Sequence, residues 1–127
     1  MMKKIYTEKA PKVVGPYSQA ICAANFVFTA GQLPIDPVSG KMVEGGIRAQ
    51  ATQVMENLGS VLAAADSDFS KVVKSTVYLS DINNFSEFNQ VYGEYFSSER
   101  PPARSTVQVA ALPLGALLEI EMIAVVE

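Results

Sequence analysis

The stretch Leu117-Leu118-Glu119-Ile120-Glu121-Met122-Ile123-Ala124-Val125-Val126 decides the architecture. Its side chains alternate with the two-residue period of an extended strand. Leu118, Ile120, Met122, Ala124 and Val126 share one face, wholly apolar. Leu117, Glu119, Glu121, Ile123 and Val125 share the other, apolar apart from two carboxylates. Such a strand has two faces to bury, and the rest of the chain must supply the cover.

The cover is limited to two helices. Ile47, Ala51, Val54, Leu58, Val61, Leu62 and Ala65 recur on one helical face, with Arg48, Gln50, Gln53, Glu56, Asn57 and Ser60 elsewhere. Asn84, three residues before Glu87, predicts a capping box that opens a second helix. Its apolar stripe is Phe85, Phe88, Tyr92, Tyr95 and Phe96, read as core, and Arg100-Pro101-Pro102 ends it. The strands are Lys3 to Thr7, Tyr17 to Ala24, Asn25 to Ala30, Val72 to Leu79, Ala103 to Val109 and Leu117 to Val126. Ala24-Asn25 is the tight turn between the second and third, and the prolines and glycines between Gly31 and Gly40 make a long turn-rich loop. The order β-β-β-α-β-α-β-β is α+β, with both helices on one face of a five- or six-stranded sheet. The second, largely apolar face is left without cover, which predicts a homo-oligomer.

The chain has 127 residues, read as a single domain over 1–127. With 49% hydrophobic and 18% charged residues it is globular rather than disordered. Ten Lys and Arg against thirteen Asp and Glu give a net charge of −3, with no basic cluster and no Trp. Neither nucleic acid nor an anionic membrane is an expected partner. Histidine is absent, which excludes histidine triads, zinc-binding HExxH sites and histidine proton shuttles. The one cysteine, Cys22, excludes an internal disulfide and reads as a small core side chain. No apolar run follows the basic residues at the start, and the apolar C-terminal run is broken by Pro113, Gly115 and Glu119. The reading is a soluble, cytoplasmic protein.

Chemistry must come from the residues that remain. Glu119 and Glu121 share the face expected between subunits. They read either as solvated carboxylates or as a carboxylate whose pKa is raised in an apolar cleft to suit proton transfer. Arg104 follows Pro101-Pro102-Ala103 on a rigidly aimed strand and offers a planar fork to a carboxylate. It reads either as an ion-pair partner of Glu119 or Glu121 on the adjoining strand or as a clamp for a small anion. Tyr17 after Gly15-Pro16, and Gly31 after Thr29-Ala30, read as a half-buried aromatic and a strand-end glycine, or as cleft walls. These residues define a small acid–base or binding site between subunits without fixing the reaction.

Taken together, Pro102-Ala103-Arg104-Ser105-Thr106-Val107, Ala110-Ala111-Leu112 and Leu118-Glu119-Ile120 resemble the C-terminal signature of the RidA family, the reactive intermediate deaminases also called YjgF or L-PSP. Gly15-Pro16-Tyr17-Ser18-Gln19-Ala20, Thr29-Ala30-Gly31-Gln32-Leu33-Pro34 and Asn89 are similar to that family as well, and the resemblance runs from near Ala10 to Val126. It implies a chorismate-mutase-like (bacillus-type) fold, a homotrimer with clefts at the subunit interfaces, and no cofactor or metal. It further implies hydrolysis of 2-aminoacrylate and 2-aminocrotonate, released by pyridoxal-phosphate dehydratases from serine or threonine, to 2-oxo acids and ammonia. By position, Arg104 clamps the substrate carboxylate, and Glu119 positions the water and shuttles its proton. Tyr17, Asn89 and the backbone at Gly31 belong to the cleft, and the backbone at Thr106 meets the imine end. Thr106 stands where many members with this activity carry Cys, which excludes a thiol role, and Ala111 replaces a frequent Arg. Two other functions compete with the deaminase: a non-catalytic 2-oxo-acid binder that regulates a partner, and an RNA-cleaving protein, which the acidic balance and missing His oppose.

Overall fold

The computed structural model describes residues 2–126. Six strands and two α-helices follow one another as β1 (Lys3–Ile5), β2 (Ala20–Ala23), β3 (Phe26–Thr29), α1 (Gly46–Ala64), β4 (Val72–Leu79), α2 (Phe85–Gly93), β5 (Ala103–Gln108) and β6 (Leu118–Val125). The order matches the one expected from patterning, and the strands form one mixed sheet in the spatial order β1-β2-β3-β6-β4-β5. β6 pairs antiparallel with both β3 and β4, while β4 and β5 run parallel. Strands β3, β4 and β5 therefore point the same way, and the two links β3-α1-β4 and β4-α2-β5 advance across the sheet in one direction. Crossovers of one hand that advance in one direction place both helices on the same face.

β6 alternates between buried and half-buried residues along its whole length, with Leu118, Ile120, Met122 and Ala124 under the helices. They meet Val54, Leu58, Val61 and Leu62 of α1 and Phe88 and Val91 of α2 in one continuous core. Asp66, in the left-handed region at φ 60°, stops α1, with Asp66 N–H donating to Ala63 O and Ser67 N–H to Leu62 O. Ser67 Oγ then donates to Val125 O at 2.8 Å, fixing the helix end to β6.

The structure corrects several details of the patterning. Gln50 and Asn57, placed off the apolar face of α1, are buried. Asn57 Nδ2 donates to Leu33 O and Ile35 O, while Gln50 donates to Val43 O and accepts from Leu117 N–H. These amides stitch the irregular 31–43 loop and the start of β6 to the helix, satisfying backbone groups that no strand satisfies. The capping box at Asn84 does not form: its side chain caps nothing, and Asp81 instead accepts from Asn83 N–H at the head of a 3₁₀ turn leading into α2. The helix itself ends at Gly93, ahead of Arg100, with Tyr95 and Phe96 following in a turn that still packs on the core. β1 stops at Ile5 because the buried Gln19 side chain takes over pairing beyond it. Gln19 accepts from Thr7 N–H and donates to Thr7 O and Pro11 O.

The opposite face of the sheet presents Phe26, Phe28 and Val107, exposed by 37, 43 and 45%, beside half-buried Ile21, Ile123 and Val125. The uncovered apolar face expected from β6 is there.

Candidate active site

Glu119 sits on this open face, paired across β4 with Tyr78. Its surroundings are made by the loop that leaves β3. Gln32 N–H donates to Ile120 O at 2.8 Å and Ile120 N–H returns to Gln32 O at 3.3 Å, an isolated bridge that lays Gly31 directly beside Glu119. A Cβ on Gly31 would lie 2.8 Å from Glu119 Cδ, so the glycine is required for the carboxylate to occupy that place. The two residues line a cleft of about 630 Å³ with Tyr17, Leu33, Ile35 and Leu114. Tyr17 is held there by a local fold-back, its N–H donating to Gly15 O, with Gly15 at φ 131°. Burial pushes the Glu119 carboxyl above the ordinary carboxylate range, and the Glu121 charge two residues on adds to the shift. Glu121 is itself engaged, accepting from Tyr78 Oη at 3.3 Å.

Arg104 occupies the other face. β5 pairs with β4 in parallel register, so Arg104 is level with Ser75 and Thr106 with Val77, both buried beneath the helices. The guanidinium carbon lies 4.8 Å from the ring centre of Tyr92, 5.5 Å from Phe85 and 5.6 Å from Phe88. These are cation–π distances. Beside it, Thr106 Oγ1 and Asn89 Oδ1 are buried without a hydrogen-bond partner. Asn89 is on the same turns of α2 as Phe85 and Tyr92, four and three residues away. Buried polar atoms rarely go unpaired, so this corner is chemically incomplete.

The predicted site residues thus fall into two groups. Tyr17, Gly31 and Glu119 come together on the open side, and Arg104, Thr106 and Asn89 on the helix side. The ion pair between Arg104 and Glu119 or Glu121 is not formed: β4 lies between β5 and β6, and Arg104 points to the opposite face. The one ion pair among the described residues is the exposed Arg48–Glu87, at 3.3 Å. The aromatic stripe of α2 serves partly as core and partly as the bed of Arg104. Sequence reasoning missed that bed, together with Ser75. The available signal was a hydroxyl at an inward position of a strand otherwise filled there by Val72, Val77 and Leu79. Among the described residues no group of His, Cys, Asp and Glu is arranged to hold a metal, and no helix is long and apolar enough to cross a membrane.

Fold and site define a class: α+β proteins of one mixed sheet that carry a guanidinium and a raised-pKa carboxylate on opposite faces. The sequence profile of the family described as endoribonuclease L-PSP matches residues 7–126. The chain is 52% identical over 123 residues to the 2-iminobutanoate/2-iminopropanoate deaminase of Bos taurus, covering 97% of this chain and 89% of that one. YyfA of Yersinia pestis, a Rid-family protein described as of unknown function, superposes with a TM-score of 0.96 at 47% identity over 99% of this chain and 100% of its own. E. coli TdcF, solved with bound serine, superposes at 0.92 with 38% identity, covering 98% and 99% of the two chains. The chain belongs to the RidA/YjgF family, whose fold of two helices on a mixed six-stranded sheet it shares.

Proposed function

We propose that this chain is a single-domain, cytoplasmic 2-iminobutanoate/2-iminopropanoate deaminase that works without a cofactor as a homotrimer. In this reading the Glu119 group of one subunit meets the Arg104 group of the next. The observation that carries it is the division of the site. A half-buried carboxylate with a raised pKa and a guanidinium that no carboxylate among the described residues pairs with lie on opposite faces of one sheet. They cannot share a substrate within one chain, and the apolar face beside Glu119 is uncovered, which favours packing against a second copy. The bovine relative's activity and the serine bound by TdcF, a small α-amino carboxylate, point to the same ligand class.

The chemistry asks little of the protein. The enamine tautomerises to the imine as C3 takes a proton and the nitrogen gives one up to solvent. Arg104 holds the carboxylate bidentately and so fixes the C=N carbon. Glu119, ionised, accepts a proton from a water as its oxygen bonds to that carbon, and the C=N π pair collects on nitrogen, which takes a proton from solvent to give the carbinolamine. Glu119 then passes its proton to the nitrogen of the carbinolamine. The C–N bond breaks with release of ammonia, and the hydroxyl gives its proton back to solvent as C=O forms. Imine and water become 2-oxo acid and ammonia. Asn89 and Thr106 offer partners to the nitrogen end, and Tyr17 and Gly31 wall the cleft.

The test generates the enamine in situ with a threonine or serine dehydratase and follows 2-oxo acid formation with and without this protein. Acceleration is expected, with Arg104→Ala and Glu119→Ala each removing most of a gain on the order of 10²–10⁴-fold. A folded, oligomeric protein that gives no acceleration but still binds 2-oxobutanoate through Arg104 would instead be a carboxylate-binding regulator, and its binding would tolerate Glu119→Gln.

A further inference from the structure

We propose that Tyr92, tied through its hydroxyl to Ser75, is a positioning residue that orients Arg104 for the substrate carboxylate. The inference rests on the deaminase reading and extends it to residues that do not touch substrate. Arginine has a long flexible stem, and a site that uses one must fix it. A neighbouring carboxylate is the usual means, but it occupies the same N–H fork that an anionic substrate needs. Here the guanidinium is held over the faces of aromatic rings instead. Tyr92, Phe85 and Phe88 lie 4.8, 5.5 and 5.6 Å from its carbon, and among the described residues no acidic group pairs with it. Face contacts leave the in-plane donors free.

For a ring to aim a cation, the ring itself must be fixed; Phe88 is fixed by burial alone, and Tyr92 is the one of the three whose ring is also tied by a hydrogen bond. Phe85 is at the rim, 37% exposed, whereas Tyr92 is buried and packs against Phe88 and Phe96 at centroid distances of 5.4 and 4.7 Å. Its Oη lies 2.6 Å from Ser75 Oγ. Ser75 is completely buried on β4 and occupies the same rung of the β4–β5 ladder as Arg104. The hydroxyl pair therefore references the ring to the very rung that carries the arginine. A buried serine among valines and leucines costs stability unless it is paired. Its pairing with the tyrosine nearest Arg104 gives both polar groups a use that core packing alone does not require.

The experiment uses the full oligomeric protein with the variants Tyr92→Leu, Tyr92→Phe and Ser75→Ala. Two quantities are read: KM and kcat for 2-iminobutanoate, and the ¹H–¹⁵N resonance of the Arg104 side chain, assigned with Arg104→Lys. Three nearby rings should displace the Arg104 Nε–H resonance from the position of the exposed arginines. Tyr92→Leu is expected to raise KM about tenfold or more, with a much smaller fall in kcat, and to lose most of that displacement. Tyr92→Phe keeps the ring but cuts the tether to Ser75, so it is expected to fall between Tyr92→Leu and wild type, with a several-fold rise in KM and a partly collapsed displacement. A folded Tyr92→Leu trimer with wild-type KM and an unmoved resonance, or a Phe variant no better than Leu, would overturn the proposal. Should Tyr92→Leu fail to fold, Ser75→Ala decides: a several-fold rise in KM with a partly collapsed displacement is expected, and an unchanged resonance refutes the tether. If the wild type hydrolyses no imine, the deaminase reading fails separately. The resonance and the affinity for 2-oxobutanoate then still decide whether Tyr92 orients Arg104.

Discussion

The two halves of the site are built in opposite ways. The Arg104 half stands on regular structure: one rung of a parallel ladder, a helix face of three rings and a buried hydroxyl pair. The Glu119 half puts its carboxylate on a strand but takes its walls from loops, held by a two-hydrogen-bond bridge at Gln32, a fold-back at Tyr17 and the missing side chain of Gly31. A cation can be aimed by stacking and keep its donors free. A general base must instead be desolvated enough to hold a proton yet open to water, which a strand residue under an irregular loop achieves. In the proposed reaction the rigid half fixes where the substrate lies, and the loop-built half tunes the proton chemistry.

Changes aimed at each half should therefore fail differently. The largest effect is expected at Gly31, where alanine puts a Cβ into the space of the Glu119 side chain. Gly31→Ala should cost about 10²-fold in kcat/KM, as an ångström-scale displacement of a reacting group does. The melting temperature should fall little. A variant with wild-type kinetics would show that the carboxylate has room to spare.

Next comes the scaffold beneath the loops. Asn57→Ala leaves Leu33 O and Ile35 O without their buried donor. It should destabilise the fold by about 1–3 kcal/mol, read by denaturant titration. Because the same loop carries Gly31, catalysis should suffer as well, whereas an equal loss of stability on the far side of α1 should leave kcat untouched.

The smallest effect separates the halves by pH. The proposed base, Glu119, works only when ionised, and burial raises its pKa, so kcat/KM should rise with pH through a limb displaced upward from that of an exposed carboxylate. Glu121→Gln removes the secondary, like-charge contribution and should move that limb to lower pH. Tyr92→Phe, on the other half, should leave its position unchanged. A limb that does not respond to Glu121→Gln would mean that the titrating group is not Glu119.

The fold was largely legible in the sequence because its signals are local. The alternation in β6, the heptad-like face of α1 and the turn at Ala24-Asn25, where Ala24 adopts φ 52°, each state their structure within a few residues. What patterning misplaced were polar side chains whose partners are remote in sequence. Gln50 and Asn57 look solvent-facing by type, and only the segments they pair with, 7 to 67 residues away, explain their burial. The site residues could be named from the motifs. Their division between two faces could not be, because it depends on β6 inserting between β3 and β4, which makes β4 and not β6 the neighbour of β5. The ion-pair alternative for Arg104, with Glu119 or Glu121, came from treating consecutive strands as adjacent.

The central claim is that one active site needs both faces, each from a different subunit, and subunit complementation tests it most directly. Arg104→Ala and Glu119→Ala proteins, each inactive alone, are unfolded together, refolded as mixed trimers and assayed with dehydratase-generated 2-iminobutanoate. If sites form between subunits, random mixing joins an intact Arg104 to an intact Glu119 in about one site in four, and activity should return to roughly a quarter of wild type. Mixed trimers as inactive as the parents would place both residues' work within a single chain and contradict the account.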